Sequence, residues 1–178
     1  LIGLIVAITG AYFANDVTAV WVLVEATTLT GSVLIYHKKT TTALEATWKY
    51  IFLCSTGIAI AYLGILFLSM TMSGLGVQDL SFESIRNAAS GANPLYLKIA
   101  FLFVLIGYST KMELFPMHTV GIDANTEAPS PIAGLISTGL VNLGFISIFR
   151  VYIAFSGTLI FEWMNHILII IGVLSLLV

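Results

Sequence analysis

Charged residues are scarce in this sequence. Lysine, arginine, aspartate and glutamate together make up 9% of the 178 residues, against about 25% in soluble domains. Hydrophobic residues make up 58% of the chain, and the mean hydropathy is +1.02. A water-soluble domain has no core large enough to bury so much apolar surface. We therefore predict that lipid is the solvent for most of the chain.

The sequence also has only one cysteine and a small net charge. The one cysteine, Cys54, lies inside an apolar run, which excludes a disulfide framework and a cysteine-ligated iron–sulfur cluster within the chain. The net charge of −2 does not indicate a nucleic-acid partner. No pair of histidines has the spacing of a haem or metal site. We therefore expect this chain to bind no cofactor and no metal.

Long apolar runs account for most of the sequence. A membrane-spanning helix needs about 20 apolar residues, whereas barrel strands have about 10 residues of alternating polarity. Because only helices satisfy their own backbone groups inside lipid, the sequence predicts an all-α, polytopic transmembrane helix bundle, a single membrane domain over residues 1–178. Six runs are candidate helices: Leu1–Ala14, Val17–Tyr36, Ala43–Met72, Leu95–Met117, Pro131–Phe155 and Leu159–Val178.

The connections between these runs are polar. The stretch His37–Thr42 carries two lysines, which predicts a cytoplasmic loop by the positive-inside rule. Residues 73–94 are predicted to form an extramembrane loop, in which Ser81 is suited to cap a short helix. Residues 118–131 are typical of a polar loop, and Pro131 suits the first turn of the next helix. Since the chain begins and ends inside apolar runs without an initiator methionine, we interpret it as a fragment of a longer protein.

Three ionisable residues, Glu25, Lys49 and Lys111, lie inside the apolar runs. Each charge at the membrane centre costs roughly 2.5–3.5 kcal/mol, so pairing, hydration or function has to offset that cost. Glu25 and Lys49 differ in depth by only about 4–5 Å, which makes an ion pair between them feasible. Lys49 also has Glu45 one helical turn earlier. In the alternative interpretation, the buried pair only fixes helix register.

Lys111 lies close to a predicted helix break. Pro116 cannot donate a hydrogen bond within the helix and clashes with the carbonyl of Met112, and carbonyls freed at membrane depth must face water or protein. With Ser109 and Thr110 beside it, Lys111 is predicted to occupy a hydrated site where its protonation state can switch, as a proton relay requires. In the alternative interpretation, its side chain only extends to the membrane surface.

Further polar residues extend this candidate path. His118 follows the break and titrates near neutral pH, so it is suited to pass protons between the loop and the interior, although an interfacial histidine needs no such role. Glu113 adds a second charge close to Lys111. Ser137 and Asn142 give the fifth run a polar stripe, which either holds helices together or orders water in a channel.

Several motifs together resemble one family. They are "VEATTL", "HKKTTTALEATWKY", "GYSTKMELFPMHT", "DANTEAPSPIAGLIS" and "LVNLGF". Their combination resembles the antiporter-like proton-pumping subunits shared by respiratory complex I, membrane-bound hydrogenases and Mrp-type cation/proton antiporters, and is closest to the hydrogenase-4 (formate hydrogenlyase) F-type subunit. The resemblance covers nearly the whole chain. It implies one inverted repeat of an antiporter-like fold, with a broken helix near Lys111–Pro116.

The resemblance also implies roles for individual residues. Glu25 matches the family's glutamate on the fifth helix, and Lys49 matches its lysine on the sixth. Lys111 matches the central lysine of the broken seventh helix, and His118 matches the histidine after the break. The resemblance implies that these four residues form an input half-channel for protons.

This chain departs from the family pattern in two places. The family usually reads close to "HTWLPDAHSEAPSP" where this chain has "HTVGIDANTEAPSP". Many complex I relatives carry a lysine or histidine where Asn142 or Ser137 stands here, so either water held by Asn142 bridges the central step or the path differs. Glu113 is an additional charge beside the key lysine.

These features predict a proton-translocating membrane subunit of a complex I-like or hydrogenase-type oxidoreductase complex. The chain itself would carry no redox chemistry, and electron transfer would take place in partner subunits that hold iron–sulfur clusters. The predicted location is the plasma (inner) membrane of a prokaryote, with other membrane subunits and lipid as partners and no nucleic acid. Two alternatives stay open: an Mrp-type cation/proton antiporter subunit, and a non-conducting membrane scaffold.

Overall fold

The computed structural model describes residues 1–114 and 119–177. Within these residues the chain forms nine α-helices. They are α1 (Ile2–Phe13), α2 (Val17–Ile35), α3 (Thr41–Gly74), α4 (Phe82–Ala88), α5 (Pro94–Ser109), α6 (Thr119–Glu127), α7 (Ser130–Leu135), α8 (Val141–Ala154) and α9 (Phe161–Leu177). A single π-helical turn, Ile136–Leu140, joins α7 to α8. The prediction of an all-α bundle is confirmed.

Three helical segments of the described chain are long and apolar enough to cross a membrane. They are Val17–Lys38, Thr41–Gly74 and Ser130–Ala154. The apolar helices α1, α5 and α9 are shorter, at 12, 16 and 17 residues. Each of the six predicted runs therefore contains an apolar helix, and the structure is that of a polytopic membrane protein.

Side-chain caps explain where the main helices begin. The carboxylate of Asp16 accepts hydrogen bonds from the backbone N–H groups of the first turn of α2, at 2.8 and 2.9 Å. The Thr40 hydroxyl caps α3, and the Asn93 side chain caps α5, with Pro94 at its first position. Each cap satisfies a donor that the helix itself leaves unpaired. Short polar turns thus separate the apolar runs at defined residues.

Helices α3 and α5 pack more closely than ordinary side chains permit. A Cβ atom added to Gly107 of α5 would lie 2.5 Å from the Cβ of Ala61 and 2.6 Å from the carbonyl oxygen of Gly57. A Cβ atom added to Gly64 would lie 2.7 Å from the carbonyl oxygen of Ala100. Small residues at such positions let two membrane helices approach. The contact places the end of α5 against the middle of α3.

The buried apolar side chains form two clusters in the described chain. The larger joins α2, α3, α5 and α8 around residues such as Phe101 and Tyr108. The smaller joins α1, α2, α3, α6, α7 and the π-helical turn, and it includes Tyr50, Cys54 and Leu140. The interpretation of Cys54 as a packing residue agrees with its 1% exposure. The smaller cluster surrounds the site described below.

The polar connection over 118–131 differs from the predicted loop. Residues Thr119–Glu127 form helix α6. Its Ala124 is fully buried in the smaller cluster, and tertiary packing of this kind overrides the turn preference of a polar segment. Pro131 lies in the first turn of α7, as predicted. The polar stretch therefore supplies a short helix that packs against α3.

Within the stretch 73–94, Ser81 caps the short helix α4, as predicted. Asp79 supports this cap, because its Oδ2 accepts hydrogen bonds from the hydroxyls of Ser81 and Ser84, each at 2.6 Å. The backbone N–H of Ser81 donates to Oδ1 at 3.1 Å. These bonds favour the ionised carboxylate and hold the pKa of Asp79 below its usual value.

We expect acid to loosen the start of α4 through Asp79. A carboxylate whose pKa is lower in the folded chain stabilises that fold above its ordinary pKa, and the contribution is lost as the pH falls through the folded value. Hydrogen-exchange protection of the Ser84 amide, corrected for intrinsic rate, should therefore fall below about pH 4. Asp79→Asn should show the lower protection already at neutral pH. Equal protection in both proteins at neutral pH would contradict the role of Asp79.

Candidate functional site

The chain turns sharply where α5 ends. Helix α5 stops at Ser109, and the backbone of Glu113 is left-handed, with φ of 55°. The hydroxyls of Ser109 and Thr110 donate to the carbonyls of Ile106 and Gly107 at 2.6 and 2.7 Å. The carbonyls near the helix end thereby gain partners inside the protein. The predicted break near Lys111 is confirmed, while Pro116 and His118 lie outside the described residues.

Lys111 lies just past this helix end and is buried, with 4% exposure. Its ammonium Nζ donates a hydrogen bond to the Tyr50 hydroxyl of α3 at 3.1 Å, and Nζ is 5.0 Å from the centre of the Tyr50 ring. No carboxylate lies within ion-pair distance of Lys111 among the described residues. A neutral hydroxyl therefore takes the place that an acidic partner usually fills beside a buried ammonium.

A small cavity of about 10 Å³ adjoins Lys111. That is about the space of one water molecule. Apolar residues of the π-helical turn and residues of the turn after α5 both line it. Its lining residues are Tyr50, Cys54, Thr110, Lys111, Glu113, Gly121, Ile136 and Leu140. The lysine thus faces a small space that has room for about one water molecule.

Glu113 lines the same cavity as Lys111, although its position on a continued helix would point it elsewhere. The left-handed backbone at Glu113 turns its side chain towards α6. A Cβ atom added to Gly121 would collide with the Glu113 carboxyl group. Glycine at position 121 is therefore what admits this carboxylate beside the Lys111 cavity.

Glu25 does not pair with Lys49. The Glu25 carboxylate accepts hydrogen bonds from the Ser55 hydroxyl at 2.7 Å and from the Thr28 hydroxyl at 3.3 Å. The feasible Glu25–Lys49 pair is absent from the described chain, because Ser55 and Lys49 project from different sides of α3. Similar depth made the pair feasible, but the direction of each side chain around the helix decides which groups meet.

Lys49 lies in an exposed ion-pair cluster instead of the interior. Its Nζ is 2.8 Å from the Glu45 carboxylate, as the one-turn spacing predicts, and 3.1 Å from the carboxylate of Asp123 on α6. The Lys49 side chain is 50% exposed. An adjoining cavity of about 180 Å³ is lined by Thr42, Glu45, Ala46, Lys49, Asp123, Thr126 and Glu127. The structure therefore does not confirm Lys49 as a buried residue.

Ser137 and Asn142 are both exposed in the described chain. The Ser137 hydroxyl donates back to the Gly134 carbonyl at 3.3 Å. Neither residue lines the Lys111 cavity, because the π-helical turn directs Ile136 and Leu140 towards it. The predicted polar stripe is thus present on this helix but faces away from the buried lysine.

Sequence reasoning missed Tyr50 and Ser55, and it did not predict Asp123 as a partner of Lys49. Tyr50 follows Lys49 directly, and neighbouring helical residues point in directions about 100° apart. Since Lys49 faces the exposed cluster with Glu45 and Asp123, Tyr50 faces away from it. Tyr50 shares its buried face with Cys54, one turn on. That spacing was the available signal for a polar group inside the smaller cluster.

Taken together, the geometry separates three groups of polar residues. Lys111, Tyr50 and Glu113 lie around one small cavity, Glu25 and Ser55 join α2 to α3, and Lys49 joins α3 to α6 through Asp123. Every link involves α3. In the described part of the chain no group of three or more histidine, cysteine, aspartate and glutamate side chains is arranged to hold a metal. The arrangement suits proton exchange between oxygen and nitrogen atoms.

Comparisons with known proteins agree with this architecture. Residues 14–178 match a family model described as "NADH:quinone oxidoreductase/Mrp antiporter, TM". The chain is 34% identical over 149 residues to a hydrogenase-4 component F homolog of Methylacidiphilum infernorum (isolate V4), covering 82% of this chain and 31% of the relative. It is 28% identical over 153 residues to NADH-quinone oxidoreductase subunit N of Bacillus anthracis, covering 84% and 30%. The chain thus spans about a third of the length of these relatives.

A solved structure has the same fold. It belongs to the membrane-bound sulfane sulfur reductase, an archaeal respiratory membrane complex, and matches with a TM-score of 0.86. The match covers 94% of this chain and 34% of that chain, at 24% sequence identity. At this identity the likeness is one of fold alone.

Proposed function

Because the chain belongs to the NADH:quinone oxidoreductase/Mrp antiporter transmembrane family, we propose that it is part of a proton-translocating membrane subunit. The subunit works in a complex I-like or hydrogenase-type oxidoreductase complex. Relatives named as hydrogenase-4 component F and NADH-quinone oxidoreductase subunit N support this class. The chain carries the proton path, and electron transfer takes place elsewhere in the complex.

The observation that carries the proposal is the burial of Lys111 against Tyr50. A lysine with 4% exposure at the end of an apolar helix is costly to keep. An ion pair would explain it as a structural device, but its hydrogen-bond partner is a hydroxyl. Ionisable residues in this position inside membrane helices usually mark ion or proton pathways.

Tyr50 gives Lys111 a partner in both protonation states. A tyrosine hydroxyl is both a donor and an acceptor, so it accepts from the ammonium at 3.1 Å and donates to the neutral amine after proton release. The Glu113 carboxylate lines the same cavity and is one candidate to receive that proton. Movement of α6, which Glu113 contacts at Gly121, would change this exchange.

The remaining groups extend the path from the Lys111 cavity. Lys49 lies about 12 Å from the start of α3, near the loop predicted to be cytoplasmic, and its half-exposed cluster with Glu45 and Asp123 forms the aqueous entrance. Glu25 of α2, held by the Ser55 hydroxyl of α3, provides a second acidic group. His118 lies outside the described residues, so its role in the proton path stays a prediction. The roles of Ser137 and Asn142 in the path also stay predictions.

The proposed setting follows from the relatives. They are named as subunits of quinone oxidoreductases, hydrogenase-4 and an F420H2 dehydrogenase, from bacteria and an archaeon. We place this subunit in a prokaryotic plasma membrane, beside other membrane subunits and redox subunits that carry iron–sulfur clusters. The chain itself binds no cofactor and no metal in this proposal.

A cation/proton antiporter is the second candidate. Its support is the half-exposed cavity in which Asp123, Glu45 and Glu127 surround Lys49, since carboxylates are suitable ligands for Na⁺ as well as proton carriers. The family description covers both classes. The two differ in the driving force, which is electron transfer in one and a cation gradient in the other.

The proposal is tested with the complete complex reconstituted in proteoliposomes. Internal pH is followed during electron transfer, with and without a Na⁺ gradient. In Glu25→Gln, the side chain can still accept the Ser55 hydrogen bond but can no longer take up or release a proton, so redox-driven proton translocation should slow by roughly tenfold or more. Electron transfer and subunit content should stay close to wild type. Glu162→Gln is the matched control, because Glu162 is exposed at the start of α9.

The outcomes separate the three functions. Proton movement that requires electron transfer and ignores Na⁺ supports the pump. Proton movement driven by a Na⁺ gradient without electron transfer supports the antiporter. If the complex translocates protons at the same rate with glutamine at position 25 as with glutamate, the path through Glu25 is wrong and a scaffold role gains support.

A further inference from the structure

A polar cavity lies at the α4 end of the bundle and shares no lining residue with the Lys111 cavity. It has a volume of about 590 Å³. Two arginines and two asparagines contribute to it, together with one carboxylate and an apolar wall. The lining residues are Asn15, Phe82, Glu83, Arg86, Asn87, Arg150, Ile153 and Ala154. None of these residues takes part in the proposed proton path.

This cavity lies at the level where several apolar helices end. Helix α1 ends at Phe13, α2 begins at Val17 and α8 ends at Ala154. The short helix α4 is held there by two backbone hydrogen bonds of 3.1 Å, from Val17 N–H to the Leu80 carbonyl and from Phe82 N–H to the Asn15 carbonyl. Ends of apolar helices coincide with the lipid headgroup region of a bilayer. The cavity therefore opens at headgroup depth.

Arg150 forms a rigid wall of this cavity. Its guanidinium donates to the Ala14 carbonyl at 2.7 Å and to the Tyr12 carbonyl, with a longer bond of 3.5 Å to Ala11. It also lies 5.4 Å from the centre of the Phe82 ring. A guanidinium has five N–H donors, so these three bonds leave donors for a ligand. Because the protein already holds the group in place, binding costs it little side-chain entropy.

Arg86 supplies a second guanidinium to the same cavity. It lies in the last turn of α4 and is exposed, and the neighbouring Asn15 and Asn87 amides add neutral donors. One carboxylate, Glu83, lines the cavity against these two cations. Planar guanidinium groups match the oxygens of a phosphate, often with two parallel hydrogen bonds. We propose that this cavity binds the phosphate of an anionic phospholipid headgroup.

The apolar side of the cavity favours a lipid over a free phosphate ion. Ile153 is 39% exposed and lies beside Phe82 and Ala154 at the rim. Phe13, at the end of α1 nearby, is 84% exposed. Ile153, Phe82 and Ala154 give acyl chains an apolar surface in the same cavity as the arginines. A free phosphate would use the guanidinium groups and leave this surface unused.

The test measures lipid retention by the full-length subunit in its complex. The delipidated complex in detergent is titrated with dioleoyl phosphatidylglycerol, and bound lipid is counted by native mass spectrometry, with dioleoyl phosphatidylcholine and inorganic phosphate in parallel. Loss of one charge-assisted contact in Arg86→Gln should weaken phosphatidylglycerol binding by roughly tenfold. The matched control is Lys38→Gln, an exposed cation in the turn between α2 and α3, which should bind the lipid as wild type does.

The binding results for the variants and for the two competing ligands decide whether the cavity binds an anionic lipid. Selective retention of phosphatidylglycerol that is weakened by Arg86→Gln and unchanged by Lys38→Gln supports it, and Arg86→Lys should restore part of the binding. Equal binding of phosphatidylcholine overturns it. If inorganic phosphate at millimolar concentration displaces all the bound lipid, the site binds free phosphate and the lipid proposal is wrong. Proton translocation is not part of the readout, so this test is independent of the proposed pump.

Discussion

Lys111→Met is expected to abolish proton translocation by the complete complex while leaving its assembly intact. Methionine fills a similar volume in the smaller apolar cluster but cannot carry a proton. The Tyr50 hydroxyl loses its 3.1 Å partner, which costs about 1–3 kcal/mol when a buried group is left unsatisfied. The rate of redox-driven acidification in proteoliposomes should fall at least about a hundredfold, as for loss of a proton-transfer group.

The matched control lies on α5, the helix that ends just before Lys111. Lys98 is near the start of α5, where its ammonium is 5.2 Å from the centre of the Trp163 ring, and Lys98→Met should keep nearly the full rate. Tyr50→Phe should give a smaller loss than Lys111→Met, because the lysine is retained without its hydroxyl partner. Normal acidification by a fully assembled complex with methionine at position 111 would remove Lys111 from the path.

Gly107→Leu is expected to separate α3 from α5 and to destabilise the protein more than any single polar substitution above. Even the first carbon of a side chain would lie 2.5 Å from the backbone nitrogen of Ala61 and 2.6 Å from the Gly57 carbonyl oxygen. Overpacking against flexible side chains costs about 1–3 kcal/mol, and a backbone yields less easily. The temperature of aggregation in detergent, followed by size-exclusion chromatography, should fall by several degrees or folded protein should be lost.

Gly172→Leu is the control for helix propensity and added apolar volume. Gly172 lies inside α9, and a Cβ atom there would meet nothing within 4 Å. Its substitution should leave the aggregation temperature unchanged or slightly raised, because leucine favours a helix over glycine. If leucine at 107 and at 172 have the same effect, the close approach of α3 to α5 is not what holds this part of the bundle together.

The two predictions are linked through helix α3. The same helix contributes Gly57 and Gly64 to the contact with α5, and Tyr50 to the bond with Lys111. A variant that moves α5 away from α3 would therefore also move Lys111 away from Tyr50. Even a small substitution at this contact, such as Gly64→Ala, should lower assembly and proton translocation together, whereas Lys111→Met should lower translocation in a complex that still assembles.

The sequence by itself determined the class of molecule and the position of the break. Low charge and long apolar runs leave lipid as the solvent, and backbone groups in lipid require helices. Local chemistry was also sufficient for Ser81 as a cap and for the one-turn pair of Lys49 with Glu45. These features depend on residues within one or two helical turns of each other, so spacing alone is enough to predict them.

Only the tertiary structure decided which distant groups meet. Counting residues placed Glu25 and Lys49 at similar depth, but depth says nothing about direction around a helix axis, and the structure pairs Glu25 with Ser55 and Lys49 with Asp123. The partner of Lys111 depends on glycines that let α3 and α5 approach. The orientation of Ser137 depends on a π-helical turn. Such contacts arise from packing between segments far apart in the chain, which no local pattern specifies.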